Sequence, residues 1–385
     1  MEVGATANPE ARAGLYIHIP FCRAKCPYCD FYSVTHPLEE DSFLSALLTE
    51  AKLWSEFWPR DLPLETLYVG GGTPSLLSPR FYERLLEGLA EALPLAPEEL
   101  TLEANPEGLG LEYLRALRGI GFNRLSIGAQ SFSEKGLSAL GRRHGPEDTR
   151  QAVEAARRAG FENLSLDLIF GWPGQSLSDL QEDLSAALAL SPEHLSCYEL
   201  TVEKGTPFYR LLQEGRLALP SEDLLVAMHE TVPEVLEARG LKRYEISNYA
   251  HRGRLCRHNL LYWRLKPYLG LGPAAASFWE RKRLRNPEDL EEYLRALREG
   301  RLPTVVEEVL EGEEALREAL FVGLRLLEGV DLEELSRRFG RDPARLFASE
   351  IARLRDLGLV TLEKGRLKLT PKGVLLANQV QLHFL

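Results

Sequence analysis

The sequence predicts an α/β protein built on a parallel sheet, with a smaller helical unit behind it. From about Gly14 to Thr201, six short apolar runs alternate with amphipathic stretches. The loops after these runs are rich in glycine, carboxylate, amide or thiol groups. Beyond Pro207 the alternation stops, and helical patterns with one hairpin take over.

The apolar runs at 15–19, 67–69, 100–103, 124–127, 164–170 and 194–200 read as strands. Helical patterns fill the gaps at 42–57, 79–92, 111–120, 146–159 and 178–188. Asp41 or Ser42 is expected to cap the first helix, and Ser178 the last. Strand–helix repeats of this kind require parallel pairing, because each crossover returns over the same face. The sheet is either doubly wound or curved into a barrel, and both place chemistry at the carboxyl ends of the strands.

Those ends read as one composite site. The first strand leads into a cysteine loop and the second into Gly70-Gly71-Gly72-Thr73-Pro74-Ser75. The third ends in Glu103-Ala104-Asn105-Pro106, the fourth in Gly128-Ala129-Gln130-Ser131-Phe132. The fifth carries Asp167 between Leu166 and Leu168, where a buried carboxylate without a partner is costly. A lone glycine run after a strand is usually a tight turn. The ordered set beside a thiol loop is what points to a site.

Cys22, Cys26 and Cys29 form a C-x3-C-x2-C run. A structural zinc ion takes four Cys or His ligands, and Cys197 and Cys256 lie far along the chain. A disulfide within the run would strand a third thiol. Soft thiolates at this spacing suit an iron–sulfur cluster. Three ligands on a four-iron cubane leave one iron open to react.

The 385 residues exceed one compact core, so one large domain and a smaller one are expected. Residues 1–14 lack the basic start and apolar core of a signal peptide and read as a loose tail. No apolar stretch approaches the roughly 20 residues that span a bilayer, and a cytoplasmic location follows. A net charge of −11 argues against general nucleic-acid binding.

After Pro207, helical patterns cover 207–214 and 221–239. Cys256-Arg257-His258-Asn259-Leu260-Leu261-Tyr262-Trp263 follows, then a Gly270–Ser277 loop. The charged stretch 281–301 reads as a linking helix. From about Glu313 the pattern is helix, helix (331–339), helix (343–357), a hairpin around Lys364-Gly365 and a last helix from Pro371. Three helices and a hairpin resemble a winged helix. Residues 301–385 hold 13 basic against 14 acidic side chains, so a lid or docking role is expected rather than DNA binding. The expected units are 15–280 and 281–385. The apolar end, 380–385, is expected to pack on the barrel, with peripheral membrane contact as the alternative.

The run CRAKCPYC, with GGGTPS, LEANP, GAQSF and DLIFGWPGQ behind it in order, resembles the radical S-adenosylmethionine superfamily. YIHIPFC and the shared loops are similar to the oxygen-independent coproporphyrinogen III oxidase family, from about Tyr16 to the terminal LTPKGVLLANQ. The resemblance implies a partial (β/α)6 barrel. It also implies a [4Fe-4S] cluster on Cys22, Cys26 and Cys29, whose open iron chelates S-adenosylmethionine. Gly71, Gly72 and Thr73 would meet the methionine end. Tyr16, Tyr28, Glu103, Gln130, Arg142 and Asp167 match positions lining the cofactor pocket, with Asp167 suited to a ribose hydroxyl and Arg143 adjacent to Arg142. In this superfamily an electron from the cluster cleaves the sulfonium to methionine and a 5′-deoxyadenosyl radical.

Two marks place the chain within that family. The oxidases resemble C-x3-C-x2-C-x-C, and here the last position is Phe31. His258-Asn259-x-x-Tyr262-Trp263 resembles a signature of the heme-chaperone branch. The resemblance therefore implies heme binding, with transfer to respiratory enzymes. The alternative is oxidative decarboxylation of coproporphyrinogen III, and a third is radical chemistry on another porphyrin. His258 is the candidate heme ligand, with Cys256 its rival. Tyr262 and Trp263 offer flat apolar area to a macrocycle.

Overall fold

The computed structural model describes residues 12–35 and 39–385, so the expected tail lies outside it up to residue 11. β1 (Ala13–Ile19), β2 (Leu64–Gly71), β3 (Leu95–Ala104), β4 (Arg124–Gln130), β5 (Leu164–Phe170) and β6 (His194–Glu199) pair in that order, each parallel to the next. The crossovers carry α1 (Glu40–Trp54), α2 (Pro79–Ala92), α3 (Leu111–Ile120), the short α4 (Glu134–Ala139), α5 (Pro146–Arg158) and α6 (Leu177–Ala189). Every residue of β1 except Tyr16 is buried. Burial on both faces is why these strands read as continuous apolar runs.

The first strand begins at Ala13, itself fully buried, so the expected tail ends two residues early. Two expected caps are displaced. The first helix starts at Glu40 with no side-chain cap, and acidic Glu40 and Asp41 occupy its first turn. At α6 the cap is Ser176, which forms a capping box with Asp179.

The chain continues through α7 (Pro207–Gln213), α8 (Glu222–Glu237), β7 (Lys242–Arg243), β8 (Asn248–Ala250) and α9 (Arg257–Trp263). Then come β9 (Tyr268–Leu271), β10 (Ala276–Trp279), β11 (Lys282–Arg285), α10 (Leu290–Arg298) and β12 (Val305–Val309). β8 and β7 extend the sheet beyond β6, while β9 to β12 extend it beyond β1. Neither outer parallel strand meets the other, so the barrel is partial.

The expected linking helix over 281–301 is corrected. Residues 282–285 are a strand, only 290–298 are helical, and the sheet runs on to Val309. The charges that suggested a helix pair across strands instead: Arg283 with Glu308 at 3.3 Å and Arg285 with Glu307 at 2.9 Å. The sheet thus runs on past residue 281, and from Leu310 the chain contributes most of a second core.

That second core is built by α11 (Gly312–Gly323), β13 (Val330–Asp331), α12 (Leu332–Phe339), α13 (Pro343–Leu346), α14 (Ala348–Asp356), β14 (Val360–Glu363), β15 (Arg366–Leu369), α15 (Pro371–Leu375) and α16 (Ala377–Leu382). The single helix expected over 343–357 breaks at Phe347, which turns its ring inward against Phe384. Val380 and Phe384 are fully buried in this core, so the apolar end packs here and not on the barrel. Leu265 and Phe278 of the body join the same core. Arg338 donates to the carbonyls of Arg264 and Leu265. Among the described residues no helix is long and apolar enough to cross a membrane.

Candidate functional site

Cys22, Cys26 and Cys29 sit on the loop leaving β1, half-buried and free of disulfides. Backbone bonds shape that loop: Cys22 N–H donates to the Val34 carbonyl (3.0 Å) and Cys29 N–H to the Cys26 carbonyl (3.1 Å). Burial raises the Cys29 thiol, and the neighbouring Cys26 and Cys22 add to the rise. Among the described residues no three Cys, His, Asp or Glu groups gather as around a single ion. Three half-buried thiols on one short loop are a soft donor set of the kind that suits iron–sulfur chemistry.

The loops after the next three strands tie this triad together. Thr73 Oγ1 donates to Cys22 Sγ (3.5 Å) and receives Asn105 Nδ2 (3.3 Å). Asn105 Oδ1 receives Arg142 Nη2 (2.7 Å), and Arg142 Nη1 reaches Cys26 Sγ (3.5 Å). A continuous polar chain thus runs from one cysteine to another through four loops. It selects Arg142 over its exposed neighbour Arg143. Asn105 escaped the sequence-derived residue set, although it stands in the Glu103–Pro106 loop that flagged the site.

Gly71 has φ +108, and a Cβ there would lie 2.7 Å from the His18 ring. At Gly72 a Cβ would lie 2.7 Å from the Phe21 carbonyl oxygen. Only glycine fits either position without displacing the cysteine loop or His18. Glu103 accepts from Tyr68 Oη (2.7 Å) and from Gly71 N–H (3.2 Å). Burial pushes its carboxyl up to about 7 against those two bonds, with Asp167 adding to the rise. Tyr16 shares the inner face of β1 with His18, its hydroxyl 3.0 Å from His18 Nδ1.

Asp167 has partners after all. The hydroxyls of Ser126 (3.0 Å) and Ser165 (3.3 Å) donate to it, as does that of Ser196. Loss of water still raises its carboxyl. Gln130 takes φ +63 where β4 bulges out of register with β5. Its amide nitrogen would lie 2.8 Å from a Cβ on Gly128. Tyr28 packs on Phe208 at 6.3 Å between ring centres and bonds Arg142, and burial raises its hydroxyl. Thr73 and Arg142 thus contact the cysteines directly, Tyr28 bonds Arg142 and Glu103 bonds Gly71, while Tyr16 and Asp167 lie within β1 and β5.

His258 does not join them as an open ligand. It is fully buried at the head of α9, its Nδ1 2.7 Å from Thr66 Oγ1 and its Nε2 2.7 Å from Tyr262 Oη. Burial, then the Arg124 charge, lower the imidazole to about 3, so it is neutral. Cys256 is also buried, facing Glu99, and burial pushes its thiol up to about 12. Both side chains are thus buried and engaged by neighbours within the protein. Their strand partners, Thr66 on β2 and Glu99 on β3, fasten the head of α9 to the sheet, while Tyr262 is on α9 itself. What α9 presents outward is Tyr262 and Trp263, on the wall of a cleft of about 430 Å³ beside Tyr16, His18 and Phe31.

The radical SAM superfamily model matches residues 16–187, and the HemN C-terminal domain model matches 310–376. The heme chaperone HemW of Bacillus subtilis (strain 168) is 38% identical over 371 residues, 95% of this chain and 97% of that protein. HemW of Escherichia coli (strain K12) is 41% identical over 264 residues, 68% of each chain. The structure of the Escherichia coli coproporphyrinogen III oxidase HemN, a radical SAM enzyme, superposes at TM-score 0.84 with 24% identity. It covers 98% of this chain and 91% of that one, a likeness in fold.

Proposed function

Because the chain belongs to the HemW family of the radical SAM superfamily, we propose that it is a heme chaperone that also carries a [4Fe-4S] cluster and S-adenosylmethionine, and that it passes heme to respiratory enzymes. The observation that carries this reading is the match to a heme chaperone over nearly the whole of both chains. Phe31, exposed where the oxidase pattern has a cysteine, agrees with it.

Cys22, Cys26 and Cys29 would hold the cluster. The Thr73 hydroxyl and the Arg142 guanidinium donate toward two of the three sulfurs and offset thiolate charge. When bound, cluster and S-adenosylmethionine supply a one-electron reductive cleavage of the sulfonium. Gly71 and Gly72 let the strand-end loop pack closely against His18 and the cysteine loop, which sets Thr73 beside Cys22. Glu103 offers a carboxylate for a cationic group, and Asp167 one for a hydroxyl pair. Tyr16, Tyr28 and Gln130 wall the space and keep water from it.

The test is hemin titration of the anaerobically reconstituted protein, with coproporphyrinogen III, S-adenosylmethionine and reductant assayed beside it. The expected result is a Soret shift that saturates at one heme per chain, with no protoporphyrinogen IX formed. Absence of any shift, or accumulation of protoporphyrinogen IX, refutes the reading.

A further inference from the structure

Resting on the heme-chaperone reading, we infer that heme lies in the cleft between Phe31 and Trp263, its two propionates on Arg283 and Arg285. The cleft measures about 430 Å³, within the range of pockets that enclose one organic ligand. Its floor is the outer part of the sheet. Register places Tyr268 opposite Phe278 and Phe278 opposite Arg283, while Ala276 stands opposite Arg285. Side chains two apart on a strand share a face. The floor is therefore aromatic in its middle and carries two guanidinium groups along one edge, about 7 Å apart at the backbone.

That is the pattern of the ligand. A heme is a flat apolar disc with two carboxylates on one side. The Phe31 ring, 64% exposed, stands at the rim with no apolar cover, and the indole of Trp263 faces the same space. Arg283 pairs with Glu308 (3.3 Å) and Glu318, and Arg285 with Glu307 (2.9 Å) and Glu288 (3.0 Å). The pairs to Glu308, Glu307 and Glu288 are exposed and hold weakly, whereas Glu318 is buried and stays with Arg283. A propionate can displace the exposed carboxylates, and they can reclaim the arginines on release. A carrier needs that exchange. The buried His258 acts here as a positioning residue, because its bond to Tyr262 Oη fixes the cleft wall.

The experiment titrates the reconstituted full-length protein with hemin and with hemin dimethyl ester, whose carboxylates are blocked. Each guanidinium lost in an Arg283→Leu/Arg285→Leu variant should weaken hemin about tenfold. The ester should bind wild type as weakly as hemin binds the double variant, and should not respond to the arginine changes. Phe31→Asp, on an exposed side chain, should weaken both ligands about tenfold through lost apolar contact. Hemin binding unchanged in the double variant, ester binding as tight as hemin, or indifference to Phe31→Asp each overturns the placement. If wild type binds no hemin, the heme-chaperone reading fails and this inference falls with it.

Discussion

Replacing His258 with alanine should weaken the fold, not the heme spectrum. The side chain is fully buried and closes two hydrogen bonds of 2.7 Å, to Thr66 and to Tyr262. Thr66 is only 3% exposed and would keep a buried hydroxyl without a partner, at about 1–3 kcal/mol. Tyr262 is half-buried on the cleft and can turn to water, so its loss is smaller. With the cavity left by the ring, the total at neutral pH is about 3 kcal/mol. The pH dependence sharpens this. The folded imidazole is lowered to about 3, so below the ordinary value of 6.5 the unfolded chain takes the proton first. Wild type therefore loses about 1.4 kcal/mol per pH unit from this group as pH falls from about 6.5. The variant has no such loss. Its deficit should shrink by about 2 kcal/mol between pH 7 and pH 5. Urea unfolding followed by circular dichroism measures both quantities, and hemin titration supplies the spectrum. Unchanged stability together with a displaced Soret band would refute the reasoning and restore His258 as an axial ligand.

Gly71→Ala combines a positive φ with a Cβ 2.7 Å from His18, and should destabilise by at least about 2 kcal/mol in thermal or urea unfolding. Arg142→Ala cuts the polar chain between Cys26 and Asn105, so the reconstituted cluster should lose iron faster to a chelator, whereas Arg143→Ala should match wild type. Glu103 must be ionised to attract a cation, and burial holds its carboxyl at about 7. S-adenosylmethionine affinity should therefore fall as pH drops from about 8 to 6, toward tenfold per unit below the midpoint. Glu103→Gln should flatten that profile, and equilibrium dialysis across the range checks it.

Much of the barrel was legible because its parallel strands are buried on both faces, which leaves an apolar run with no alternation to misread. The rim was legible for a related reason. Strand ends keep their chemistry in short contiguous stretches, so Gly71 and Glu103 stood out before any contact was known, and Asp167 stood out as a carboxylate inside an apolar run. The outer strands were not legible. Lys282–Arg285 carries three charges in four residues, and its cross-strand partners, on β10 and 20 to 27 residues on in β12, make it a strand. The surroundings of His258 were hidden for the opposite reason: its partner Thr66 is 192 residues away, and nothing local separates a buried, bonded imidazole from an open ligand. Arg142 could be told from Arg143 only by where its guanidinium ends.

The most direct test of the central claim follows heme itself. The protein is loaded with one heme, freed of excess, and mixed with a heme-depleted respiratory cytochrome, and the absorbance of each is tracked. The account predicts that heme leaves the carrier and appears in the acceptor with its native spectrum. Heme that stays on the carrier while the same acceptor fills readily from free hemin would contradict it.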